Sequence, residues 1–265
     1  INYLMIILMS LMMISNLFIF ISRAGASIER INEILQIKES VKKEKFLKPS
    51  VIKGEIEFKN VFFSYNENLE NSLLKNISFK IEKGETVGII GTTGSGKTTL
   101  LNLIANLYQP TSGEIFIDGI NIKKLDPDIL KENIGFVTQE TIIFSGTIRE
   151  IMKWANEEAT EEEIKHALKI SRIYDFIQSL PDGLDTYIGQ KGVNLSGGQK
   201  QRLTIARALI KKPKILIFDD CTSSVDFITE KEIFKNLKDE IKESTKIIVT
   251  PRIFTIMTFD KILVL

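Results

Sequence analysis

The stretch TVGIIGTTGSGKTTL, residues 86–100, decides how the rest of the chain is read. Within it, residues 91–98 (GTTGSGKT) match G-x-x-x-x-G-K-[ST] at Gly91, Gly96, Lys97 and Thr98. Gly91, Gly94 and Gly96 let the backbone close in on phosphate oxygens with its N–H groups turned inward. A helix opening at Lys97 adds its positive dipole end. In such a loop Lys97 reaches the β- and γ-phosphates of a nucleoside triphosphate, and the Thr98 hydroxyl ligates Mg²⁺. Thr93, Ser95 and Thr99 belong to the same loop and helix start and are grouped with the nucleotide-binding residues. The motif needs a strand before it and a helix after it. TVGII supplies the first, and TLLNLIANL the second, as a helix from Lys97 to about Leu107. A glycine-rich turn without a ligand is the competing reading, and these flanking elements disfavour it.

Working outward, residues 215–220 (ILIFDD) are an apolar strand that ends in acid. Asp219, at its C-terminal end, is placed to hold Mg²⁺ through water. Any buried strand can end in acid, so the pattern gains meaning only beside the phosphate loop. EIEFKNVFF alternates like a strand, and NISFKIEKGETVGII gives two strands around a turn. GEIFIDG, KIIVT and DKILVL read as further strands. Asp126-Pro127 reads as N-cap and first helical position, and Thr160 with Glu163 as a capping box. The expected fold class is α/β, a P-loop NTPase. There is no internal repeat and no low-complexity tract.

Residues 1–21 carry no charged side chain, whereas the remainder mixes charged and apolar residues. As a helix these residues span about 30 Å, the thickness of a hydrocarbon core. The segment lacks the basic start, short apolar run and small-residue cleavage site of a secretory signal. A buried helix of a soluble domain is the alternative, but such helices are seldom apolar on every face. Arg23, Arg30, Lys38, Lys42 and Lys43 follow, which marks that side as cytoplasmic. Ile28, Ile31 and Leu35 extend a helical apolar stripe beyond the membrane. Lys48-Pro49-Ser50 reads as a linker, giving a membrane segment over 1–48 and a nucleotide-binding domain over 49–265. The first residue is not Met, so the sequence is expected to begin inside a longer, multi-pass protein of the cell membrane. The net charge of +1 gives no sign of a nucleic-acid partner. The single cysteine, Cys221, excludes an internal disulfide.

Residues 195–202 read LSGGQKQR. A phosphate loop, then LSGGQ about a hundred residues later, then an apolar strand ending in acid: this resembles the ATP-binding cassette (ABC) transporter family along the whole chain. The resemblance implies ATP and Mg²⁺ as cofactors and a helical subdomain near 142–208. It implies that Tyr65 stacks on adenine. It implies that Gln139 touches Mg²⁺ and the attacking water and couples the cassette to the membrane domain. Ser196, Gly197, Gly198 and Gln199 correspond to the signature that meets ATP held by an opposite subunit. Residues 223–226 (SSVD) correspond to the loop that crosses the interface between cassettes. FSGTIRE (144–150), GQKG (189–192) and the covalent link to a membrane helix resemble exporters. Gln190 stands where the exporter loop usually has an acid. The chain is also expected to stop short of the cassette's C-terminal end.

Two departures fall on the chemistry. Where the family has a glutamate general base, this chain has Asp220, one methylene shorter. Where the family has a switch histidine, IIVTPR places Pro251, which has no side-chain donor. The only histidine, His166, lies elsewhere, in a helix beside Glu161–Glu163. Both losses concern one ATP site, while the signature serving the other is intact. The resemblance is thus to the weakened subunit of a heterodimeric exporter. Such a chain pairs with a second half-transporter in the bilayer and moves a small hydrophobic compound or lipid. A homodimer with slow hydrolysis, an ATP-gated channel or regulator, and a soluble ATPase acting on DNA are the alternatives. The uncharged helix speaks against the last.

Overall fold

The computed structural model describes residues 2–36, 46–66 and 68–265. Their contacts form two units, residues 1–44 and 45–265. The first holds one helix, α1 (Asn2–Leu35), about 51 Å long, with none of its residues buried within the chain. By length and composition it suffices to cross a membrane. Ser10, Ser15 and Ser27 each donate their hydroxyl to the carbonyl four residues earlier, so these polar groups remain satisfied on the helix itself. Lys38, Lys42 and Lys43 lie outside the described residues.

The second unit runs β1 (Ile56–Phe63), β2 (Leu74–Ile81), β3 (Thr86–Ile90), α2 (Lys97–Ile104), β4 (Ser112–Ile117), β5 (Ile120–Asn121), α3 (Pro127–Asn133), β6 (Ile134–Val137), β7 (Gly146–Thr147), α4 (Ile148–Lys153), α5 (Glu161–Ile170), α6 (Tyr174–Gln178), β8 (Tyr187–Ile188), α7 (Gly197–Ile210), β9 (Ile215–Asp219), α8 (Phe227–Glu240), β10 (Thr245–Val249), α9 (Ile253–Ile256) and β11 (Lys261–Val264). The expected linker is already part of it. Leu47 N donates to Lys124 O, Asp126 N to Leu47 O, and Lys48 pairs with Asp126 at 3.1 Å.

An antiparallel sheet of order β2-β1-β4-β5 stands beside a parallel sheet of order β11-β3-β10-β9-β6. Every residue of β9 and β10 is buried, as befits parallel strands covered on both faces. Their period-2 alternation divides two cores. Ile215 and Ile217 of β9 pack with Phe58, Leu100 and Ile104, whereas Leu216 and Phe218 pack with Met152, Leu203 and Leu237. The second cluster also holds α4 to α7, the helical region expected over 142–208, although α7 itself runs to Ile210.

Two local devices shape that region. Capping boxes open α4, α5 and α7, at Thr147/Glu150, Thr160/Glu163 and Ser196/Gln199. A two-stranded ribbon, β7 with β8, pairs Gly146 with Ile188. Beside it Arg149 grips Asp185 through Nε and Nη2, at 2.8 and 3.1 Å, and Glu161 through Nη1 at 3.0 Å. The helix expected to run to Leu107 ends at Ile104. Asn106 turns left-handed at φ 57, and Leu107 N reaches back to Asn102 O, the geometry of a helix stop.

Candidate nucleotide site

Strand register sets the site. In the parallel sheet Val249 pairs with Ile89 on one side and Asp219 on the other. Neighbouring strands lie about 4.8 Å apart. The chain therefore leaves the sheet at one level from β3 into the glycine-rich loop, from β10 into Thr250-Pro251, and from β9 at Asp219-Asp220. These turns wall a cleft of about 700 Å³, with Lys97, Thr98, Gln139, Asp219, Asp220 and Pro251 among its lining. Gln139, just beyond β6, is exposed at the far side.

The loop itself is built for a close anionic ligand. Gly96 has φ 98, and a Cβ there would stand 2.7 Å from Leu74, so only glycine serves. Lys97 Nζ donates to the carbonyls of Gly91 and Thr92, at 2.9 and 2.8 Å, and so lies across the loop. Ser95 Oγ is buried without a partner. The Thr98 hydroxyl and the Asp219 carboxylate are hard oxygen donors of the kind Mg²⁺ takes alongside phosphate. The residues present thus fit Mg²⁺ and a triphosphate. Burial pushes the Asp219 carboxyl above its ordinary range, against the Thr98 hydroxyl and the Lys97 ammonium.

Asp220 sits in the left-handed region at φ 44, its N–H held 2.9 Å from Val249 O. Its Oδ1 is buried without a partner. Burial first, and then the Asp219 charge, push its carboxyl up. Tyr65 does not line the cleft, but its hydroxyl lies 2.9 Å from Thr99 Oγ1 in the first turn of α2. Its ring meets Phe63 and Tyr108 edge-on, with centroids 4.9 and 5.4 Å away.

Ser196, Gly197, Gly198 and Gln199 are not brought to this cleft. They open α7, where Ser196 N donates to Gln199 Oε1 at 2.7 Å and Gln199 N to Ser196 Oγ at 3.3 Å. The first turn of α7 abuts residues 223–226. A Cβ on Gly198 would stand 2.7 Å from the Ser224 carbonyl oxygen. Gln201 joins the two segments, donating to Ser223 Oγ and accepting from Ser224 N. His166 is remote from all of this, with Nε2 3.5 Å from Glu240 on α8.

An ABC transporter family model matches residues 74–223, which run from the start of β2 through the signature to the loop after β9. The chain belongs to the ABC transporter family. The ABC transporter ATP-binding protein YfiB of Bacillus subtilis is 44% identical over all 265 residues, which cover 46% of its length. A putative multidrug export ATP-binding/permease protein of Staphylococcus aureus is 47% identical over 212 residues, covering 80% of this chain and 36% of that protein. The chain thus spans less than half the length of these curated relatives. A solved bacterial Atm1-family ABC exporter, with ATP bound, superposes at a TM-score of 0.84 with 33% identity, over 92% of this chain and 43% of that one. This ABC protein therefore carries an ATPase domain of the exporter kind.

Two groups of this ABC domain escaped sequence reasoning. Glu230, fully buried on α8, is paired with Arg252, next to Pro251. Tyr108 supports Tyr65. An acid and a base 22 positions apart give no periodic signal, and an aromatic after a helix stop reads as ordinary surface.

Proposed function

We propose that this chain is the ATP-binding part of an exporter subunit that works opposite a second, different half-transporter in the cell membrane. Its own cleft binds Mg·ATP and turns it over slowly. Its signature, Ser196 to Gln199, completes the partner's site, where hydrolysis drives export of a hydrophobic compound or lipid.

One observation carries the asymmetry: Asp220 and Pro251 face the same cleft. Lys97 and the loop N–H groups hold the phosphates, and Thr98 and Asp219 orient the metal. Mg²⁺, when bound, offsets phosphate charge and polarises the γ-phosphoryl group. Asp220 is too short to bring its carboxylate to where a glutamate's would stand. A misplacement of about 1 Å costs roughly a hundredfold. Pro251 offers no donor to the γ-phosphate. The cleft retains what binding needs and lacks what fast hydrolysis needs.

The test is nucleotide binding and turnover by the full-length protein in nanodiscs, alone and with its partner. Alone, it should bind Mg·ATP by calorimetry and turn over well below 1 s⁻¹, the low end of ordinary enzymes. Ordinary turnover by this chain alone would establish a working site instead.

A further inference from the structure

Arg252 lies where three segments meet. Its guanidinium gives Nη1 to Glu230 and Nη2 to the Val225 carbonyl at 2.7 Å. Its own N–H donates to Thr250 Oγ1, and Thr250 Oγ1 to Glu230 Oε1, each at 3.3 Å. Thr250 and Pro251 are cleft wall. Val225 belongs to the loop whose neighbour Ser224 touches the first turn of the signature helix. Glu230 has no solvent exposure, so its charge depends on Arg252, and that dependence fixes where the guanidinium sits. The rigid planar fork reaches the Glu230 carboxylate and the Val225 carbonyl through two different nitrogens, a fixed geometry that a lysine's single ammonium does not reproduce.

We propose that Arg252, held by Glu230, is a positioning residue that ties the 223–226 loop to the Thr250–Pro251 wall. Engagement of that loop by the opposite cassette then slows nucleotide escape from this chain's own cleft. Since Pro251 has no hydrogen-bonding side chain, the wall at this point is held by its backbone and by this knot. This rests on the reading that the cleft holds ATP and that residues 223–226 face a partner.

The test is chain-resolved. Full-length protein in nanodiscs is loaded with radiolabelled 8-azido-ATP and Mg²⁺, chased with unlabelled ATP, and photolysed at intervals. Label on this chain is followed by gel. Arg252→Lys keeps the charge beside Glu230 and loses the fork. Glu230→Gln with Arg252→Met replaces the pair by neutral groups of similar size, which buried pairs often tolerate. Each should speed label loss about tenfold in the assembled transporter, the worth of one charge-assisted hydrogen bond. Neither should speed it in nanodiscs holding a single copy. Equal acceleration in both preparations would mean a merely structural pair, and no acceleration would mean no link; either overturns the proposal. The underlying reading fails separately, if the wild-type chain takes no label or Lys97→Ala leaves labelling unchanged.

Discussion

The Tyr65 phenolic oxygen lies 2.9 Å from the Thr99 hydroxyl, so the ring assigned to adenine is fastened to the first turn of the helix assigned to phosphate. Removing the ring should cost far more than removing the hydroxyl. Base stacking is worth about 1–3 kcal/mol, a neutral hydrogen bond about 0.5–1.5 kcal/mol. Calorimetry with Mg·ATP should show Tyr65→Ala weakening binding by roughly ten- to a hundredfold. Tyr65→Phe should lose less than about tenfold. Equal losses for the two would remove the ring from the binding role.

Lys97 spans the glycine-rich loop through two carbonyls. Lys97→Ala should abolish most nucleotide binding at this chain's cleft while hydrolysis by the assembled transporter persists. Labelling of each subunit, read beside steady-state ATPase, separates the two effects. Complete loss of ATPase with normal assembly would show that the two sites cannot act apart.

The signature offers the sharper comparison. Ser196→Ala should cut transporter ATPase by about 10²–10³, the usual cost of one donor to a developing charge. Asp220→Asn should do much less. Ser196 is also the N-cap of α7, worth about 1 kcal/mol, so a melting curve accompanies the assay. Gly198→Asp is a poor substitute, because any side chain there strikes the Ser224 carbonyl within this chain. If Asp220→Asn proves as damaging as Ser196→Ala, the site has a working, unusual base.

Much of this was legible in the sequence, for physical reasons that differ by residue. The phosphate loop, the buried run ILIFD and the capping residues Asp126 and Thr160 are local codes, and all stand where expected. Where α2 stops was not legible. LIANL continues the helical pattern past the point where Asn106 adopts a left-handed turn. Nor was the extent of the cassette, because Lys48 reads as linker yet pairs with Asp126, 78 positions on. The Arg252–Glu230 pair is likewise tertiary, created by sheet order. Chain order alone does not say that β10 lies between β3 and β9.

Acid should expose one surface contribution. The Lys212 ammonium first, and then the cap contacts with Thr160, hold the Glu163 carboxyl at about 2, below its ordinary 4.5. A carboxyl lowered on folding stabilises above its unfolded value, and loses that effect as pH falls through the folded one. Glu163→Gln preserves the capping box, since Gln serves there too. The variant should melt lower than wild type at pH 7, and the gap should narrow as pH falls from about 4.5 to about 2. A gap that is constant over that range would assign the difference to something other than this ionisation.

The ribbon that pairs Gly146 with Ile188 has a consequence for how such a sequence tolerates change. A chain that departs and returns at one hinge of two hydrogen-bonded strands encloses everything between them as a tab. The buried faces of α4 to α6 pack against β9, so the part of that tab free to change in length is its exposed turn at Glu157–Glu158. Length variation between related cassettes should therefore concentrate there, and a reporter peptide spliced near Glu157–Glu158 should leave nucleotide binding intact.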